Sequence, residues 1–318
     1  MRAVRYHEHG GPGVLRVDEV PMPEPGPGEV AVEVRAAAVN PVDSYVREGT
    51  YDGPPLPAVP GADFAGVVTA VGEGVERFCP GDRVFGTNLG VNRPGTCASA
   101  VCAPADRTAH LPDGVTFVEG AAVALVGATA WRALVDHAGV EPAETVLVHG
   151  GSGGVGHVAV QLAAAAGARV VATARPTYHD RLDDVGADVT IDYRRDDLAE
   201  AVREAGPPAV VLDHRLDEYL SLDGAVAAQG GRVVGIGDEA ADAALADVPA
   251  ARRRELSLTL LSVFNTPDLP AVLGRLGRLV AAGDVVPEID RTVALDGVAD
   301  AHRALTEESF FGKLVVEP

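Results

Sequence analysis

The chain has 318 residues, enough for two domains, and its 46 acidic against 26 basic side chains leave a formal charge of −20. So acidic a chain excludes a surface for nucleic acid or another polyanion, and an aromatic content of 4 % leaves few rings for stacking bases. Cys79, Cys97 and Cys102 form no even framework and no C-x-x-C, which points to reduced thiols in the cytoplasm. No apolar run of about 18 residues calls for a membrane, and Met1–His7 lacks the apolar core of a secretion signal.

From the N-terminus, short alternating stretches such as Glu29–Arg35 and Ala65–Val71 read as strands. Prolines and glycines crowd 21–27 and 54–60, so residues 1–122 are expected to be β-rich, loop-heavy and poor in helix. The texture then changes. Thr145-Val-Leu-Val-His-Gly-Gly-Ser-Gly-Gly-Val-Gly156 is an apolar run of strand length ending in glycines and a helix start. Gly151, Gly153 and Gly156 have the G-x-G-x-x-G spacing, in which successive glycines permit a tight turn, backbone approach to a pyrophosphate, and close helix–strand packing. Gly150-Gly151-Ser152-Gly153-Gly154 also matches G-x-S-x-G, the nucleophile elbow of serine hydrolases.

The context decides between them. His157–Gly167 reads as a helix with a glycine stop, followed by a buried strand at Ala168–Ala174. Further strands are expected at Asp188–Asp192, Ala209–Asp213 and Gly231–Gly237, with helices between them ending near Gly186, Gly206 and Gly230. Such alternation predicts an α/β Rossmann fold with a doubly wound parallel sheet over residues 123–265. A hydrolase would need an acid and then a histidine after Ser152; Asp213 with His302, or Asp192 with His214, supply only the letters. The dinucleotide reading accounts for the whole pattern.

The tip of the second strand selects the cofactor. An acid there would accept from the 2′-OH of NAD, whereas this chain has Ala174 then Arg175, with Tyr178, His179 and Arg181 close behind. A charge-assisted bond to a 2′-phosphate favours NADPH; the plainer alternative makes Arg175 and Arg181 solvated charges at a helix start. The chain closes with a helical stretch, Leu269–Ala282, and a strand at Lys313–Glu317 that returns to the β-rich part.

Several segments together resemble the medium-chain dehydrogenase/reductases, most closely the zinc-independent, ζ-crystallin-like quinone oxidoreductases. They are Val39-Asn-Pro-Val-Asp-Ser-Tyr45, Gly49-Thr-Tyr51, Pro60–Gly66, Gly81–Val84, Val148–Gly156, Gly186-Ala-Asp188, Asp192-Tyr193 and Gly312-Lys313. The resemblance implies a GroES-like domain from both chain ends (1–122 and 266–318) around the Rossmann domain, and a homodimer. It implies NADPH-dependent reduction of quinones or α,β-unsaturated carbonyl compounds between the domains. A biosynthetic, polyketide-type enoyl reductase and a non-catalytic NADPH-binding protein are the alternatives.

Zinc-dependent relatives carry Cys where this chain has Asn40 and His-Glu where it has Ala62-Asp63, so no metal is expected. The resemblance places catalytic positions on Asn40, Tyr45 and Tyr51. It places cofactor contacts on Asn40, Thr129, Ser152, Gly153, Gly154, Val155, Arg175, Tyr193, Gly235, Phe264 and Lys313. Plainer roles stand beside these: an Asx-turn for Asn40, a core ring for Tyr45, a cleft-closing aromatic for Tyr51, a cap for Asp43 and an ordinary helix position for Thr129. The sequence departs from the family at Asp213-His-Arg-Leu216, where relatives have a small, glycine-rich turn.

Overall fold

The computed structural model describes residues 1–318, which divide into two compact units: Met1–Ala128 with Pro267–Pro318, and Thr129–Thr266. The first boundary falls inside one continuous helical stretch, Phe117–His137, rather than at residue 122. By length and composition that stretch is able to cross a membrane, but 78 % of its apolar window is buried inside the protein. Burial therefore accounts for its composition. Gly120, Gly127 and Thr129 dilute its apolar letters, which is why no such run stands out in the sequence.

The second unit is built on six parallel strands: β1 (Thr145–Val148), β2 (Arg169–Ala174), β3 (Val189–Asp192), β4 (Val210–Asp213), β5 (Arg232–Gly235) and β6 (Ser257–Leu260). Their order is β3-β2-β1-β4-β5-β6. This is the doubly wound arrangement, in which the order reverses beside β1. Leu147, Val171, Val211 and Val233 from four strands meet Leu198, Val202, Leu216 and Leu220 from the crossover helices in one core. Four strands lie within a residue or two of their expected bounds. The sequence reading missed β6, a four-residue edge strand whose Leu258 and Leu260 face outward.

The first unit centres on the strand Glu29–Ala38, paired antiparallel with Asp63–Val71, Ala100–Pro104 and the C-terminal strand Lys313–Glu317. The register Val315↔Ala38 and Val316↔Ala37 stitches the end of the chain into the N-terminal sheet. Val32, Phe64, Val84, Leu314 and Val316 share its core. The expected helix-poor texture has one local exception that matters for the site. Pro41–Glu48 is a helix with Pro at its first turn, stopped by Gly49 at φ +78°.

Candidate functional site

The glycine-rich loop is shaped by what a side chain would strike. A Cβ on Gly156 would stand 2.1 Å from the Gly150 carbonyl oxygen, so only glycine lets the helix Gly154–Ala165 close onto β1. Gly150 itself is left-handed, at φ +65°. A Cβ on Gly153, in contrast, would meet nothing closer than 3.3 Å, leaving that backbone open to an approaching group. Gly153 caps the helix without a side-chain acceptor. The N–H groups of the first turn, at Gly154, Val155 and Gly156, therefore stay available to an anion, with the positive end of the helix dipole behind them. A pyrophosphate fits this cradle; Ser152 lies on it. Asp213, by contrast, accepts from the Arg215 N–H at 2.7 Å, and the Nδ1 of His302 contacts Arg47 at 2.7 Å, so neither completes a hydrolytic triad.

At the tips of β2 and β3, Arg175 Nε donates to the Tyr193 hydroxyl at 3.2 Å, joining two of the expected cofactor positions. Asp192, weighed in the sequence only as a possible hydrolase acid and within the Asp192-Tyr193 resemblance, also lies at this tip, because it pairs in register with Ala174. Arg194 holds it at 3.0 and 2.9 Å, and that hydrogen-bonded guanidinium pulls the Asp192 carboxyl down to about 2. The strand tips thus carry a neutralised acid and a cationic Arg175. Gly235 ends β5 tightly against Leu216, Phe264 lies in the turn Val263–Asn265, and Thr129 is buried in its helix. The departure at His214 is filled by packing: a Cβ on Gly150 would come within 2.6 Å of the His214 ring.

The other expected positions, Asn40, Tyr45, Tyr51 and Lys313, belong to the first unit. Asn40, Asp63 and Lys313 are buried, and their side chains form one network. Lys313 Nζ donates to the Val39 carbonyl at 2.8 Å and to Asn40 Oδ1. Asn40 Nδ2 donates to Asp63 Oδ2 at 2.8 Å and to the Ala38 carbonyl at 3.3 Å. An ammonium on one side and a carboxylate on the other fix which way the amide points, and both amide hydrogens are committed within the protein. Asp63 Oδ1 also accepts the Leu125 N–H at 2.9 Å. Asp43 accepts the Asn40 N–H at 2.8 Å, a helix cap in the buried layer. Burial pushes Asp43 up to about 7 and raises Asp63, while Lys313 opposes the shift in both. Tyr45 and Tyr51 pack ring against ring, with centroids 5.3 Å apart, and Tyr51 is half exposed.

No three His, Cys, Asp or Glu side chains stand close enough to share a metal ion. Where zinc-dependent relatives place ligands, this chain has an asparagine and a carboxylate linked to the Lys313 ammonium. Sequence reasoning also missed a buried polar cluster beneath the glycine-rich loop, made by His149, Thr173, Asp213 and Asp223. Its visible signal is a histidine and two aspartates within otherwise apolar strand and helix segments.

Residues 26–113 match the alcohol dehydrogenase GroES-like domain family, and residues 185–316 the zinc-binding dehydrogenase family. The human quinone oxidoreductase is 35 % identical over 99 % of this chain and 97 % of its own length. The solved Escherichia coli quinone oxidoreductase complexed with NADPH is 28 % identical and superimposes with a TM-score of 0.90, each chain covered fully. A solved NAD-dependent alcohol dehydrogenase is 35 % identical with a TM-score of 0.92, again with both chains covered fully.

The Lys313 network makes a direct prediction. Lys313→Met leaves two buried carboxyls without their cation, and at pH 8 is expected to cost about 3–5 kcal/mol. Because Asp43 and Asp63 titrate above their ordinary values, the stability tied to their protonated forms is present at low pH and lost as pH rises. The deficit against wild type should therefore shrink from pH 8 to pH 5 in urea unfolding; a pH-independent deficit contradicts the network.

Proposed function

We propose that this chain, which belongs to the medium-chain dehydrogenase/reductase superfamily and within it to the quinone oxidoreductase family, is an NADPH-dependent reductase of quinones and α,β-unsaturated carbonyl compounds that works without zinc. The carrying observation is the glycine cradle between β1 and its helix, together with Arg175 at the tip of β2. The cradle's free N–H groups receive the pyrophosphate. Arg175, Tyr193 and the neutralised Asp192 suit a 2′-phosphate better than a bare ribose hydroxyl. Among the relatives, one is described with NADPH and another as NAD-dependent, so the strand tip carries the choice.

When bound, NADPH supplies the hydride, and the protein's task is to bind, orient and exclude water. Tyr45 and Tyr51 offer an aromatic face suited to a planar acceptor. Asn40 and Lys313, locked by Asp63, hold the floor of the first unit's site rigid, with an ammonium in place of a metal. The three unpaired cysteines support a place in the cytoplasm. The reading includes a homodimer, supported by β6 at the sheet edge with Leu260 71 % and Leu258 44 % exposed.

Three measurements check it. Arg175→Ala is expected to weaken NADPH binding roughly ten- to hundredfold and leave NADH unchanged; equal loss for both cofactors contradicts the 2′-phosphate assignment. Oxidation of NADPH in the presence of a quinone and enone panel tests the reaction itself, and no turnover with any acceptor contradicts it. Leu260→Lys is expected to convert a dimer to a monomer in light scattering; a wild-type monomer overturns the assembly.

A further inference from the structure

Beneath the glycine-rich loop lies a hydrogen-bonded chain of buried groups. The Gly150 N–H, the first amide of the loop, donates to Thr173 Oγ1 at 3.1 Å. Thr173 Oγ1 lies 3.4 Å from His149 Nδ1, and in the tautomer with the proton on Nε2 the Thr173 hydroxyl donates to that nitrogen. His149 Nε2 lies 2.9 Å from Asp223 Oδ1 and donates to it. The Asp213 and Asp223 carboxyls are neighbours that perturb each other's titration, and Oδ2 of each is buried and meets no donor anywhere in the protein. Two neighbouring buried carboxyls, each with an orphaned oxygen, are satisfied together when one proton lies between them. All four side chains are at most 2 % exposed, so water does not compensate.

We propose that His149, Asp223 and Asp213 are positioning residues for the dinucleotide loop, that the two carboxyls share one proton, and that losing it weakens dinucleotide binding. The inference rests on the reading of that loop as the cofactor's pyrophosphate cradle. The shared proton leaves the cluster with one negative charge, which the hydrogen bond from His149 and the Arg215 N–H on Asp213 absorb. Without it a second buried charge appears below a loop that has to accept an anion. The chain through His149 and Thr173 also pulls harder on the Gly150 amide.

Burial and the neighbouring carboxyl hold Asp213 at about 7, and burial holds Asp223 at about 7, so the change falls in the neutral range. Burial keeps His149 neutral, down at about 4, which matches an imidazole that accepts at Nδ1 and donates at Nε2. The charged and titratable groups facing the cluster are Glu218, Arg215, Asp217, His214 and Tyr219, whose ring stacks on His149 at 4.4 Å. They belong to the β4 turn and the following helix and are the same in the variants below.

Asp223→Asn keeps every bond: its oxygen accepts from His149 and its amide donates to Asp213, which then stays ionised throughout. The test is the Kd for NADPH and for NADH, read by nicotinamide fluorescence from pH 6 to pH 9. NADH lacks the 2′-phosphate that titrates near neutrality. For wild type the Kd is expected to rise on the order of tenfold across this range with both probes. For Asp223→Asn, and for Asp213→Asn as the second isosteric variant, it is expected to stay flat within about twofold. Parallel profiles for wild type and both variants overturn the proposal while leaving the loop's function intact. Failure of either dinucleotide to bind wild type at any pH overturns the functional reading and this inference together. Thermal unfolding without cofactor reads the proton separately. A group raised on folding contributes stability that is lost as pH climbs, so wild-type Tm should fall more steeply from pH 5 to pH 8 than that of Asp223→Asn; equal slopes contradict the shared proton.

Discussion

Between Gly150 and Gly156 the backbone approaches itself so closely that a single methyl carbon at Gly156 would lie 2.1 Å from a carbonyl oxygen. Much else follows from that approach. It seats the helix Gly154–Ala165 on β1 and leaves its N-terminus uncapped, beside the point where the strand order reverses. Doubly wound sheets bind ligands at that point because adjacent loops diverge there. The space is made by the absence of side chains, and the anion-binding capacity comes from backbone amides the fold leaves unpaired.

Both units bury charge, and both do so with local compensation. In the first, Lys313 meets Asn40 and Asp63 at the strand that ends the chain, so the C-terminus both closes the sheet and supplies the cation. A buried carboxylate is costly alone, which ties the integrity of this site to a residue 250 positions distant from Asp63 in sequence. In the second, His149, Asp213 and Asp223 compensate one another under the loop. Such networks fix one geometry because every alternative leaves a polar atom unpaired.

The parallel sheet was legible because its strands are buried on both faces and read as apolar runs closed by glycines, as at Val146–Val148 and Val170–Ala172. β6 escaped notice because an exposed four-residue strand carries no such run. The helix Phe117–His137 was hidden by its own small residues, and the two units divide within it, after Ala128. Of the site, the glycine loop and Arg175 could be read locally. The commitment of both Asn40 amide hydrogens could not, since it depends on Asp63 and Lys313, whose proximity only the tertiary fold creates. The same holds for Asp192, whose negative charge at the strand tip is offset by the Arg194 guanidinium. The proton shared between Asp213 and Asp223 rests on an orphaned pair of oxygens, which no sequence pattern displays.

The central claim is that the glycine cradle holds a nicotinamide dinucleotide. Titration of the purified protein with NADPH, followed by nicotinamide fluorescence for wild type and Gly156→Ala in parallel, tests it most directly. Saturable binding at one site per chain, lost in a Gly156→Ala protein that remains folded, is the predicted result. Binding that survives the added methyl group unchanged, or no binding by the wild type, contradicts the account.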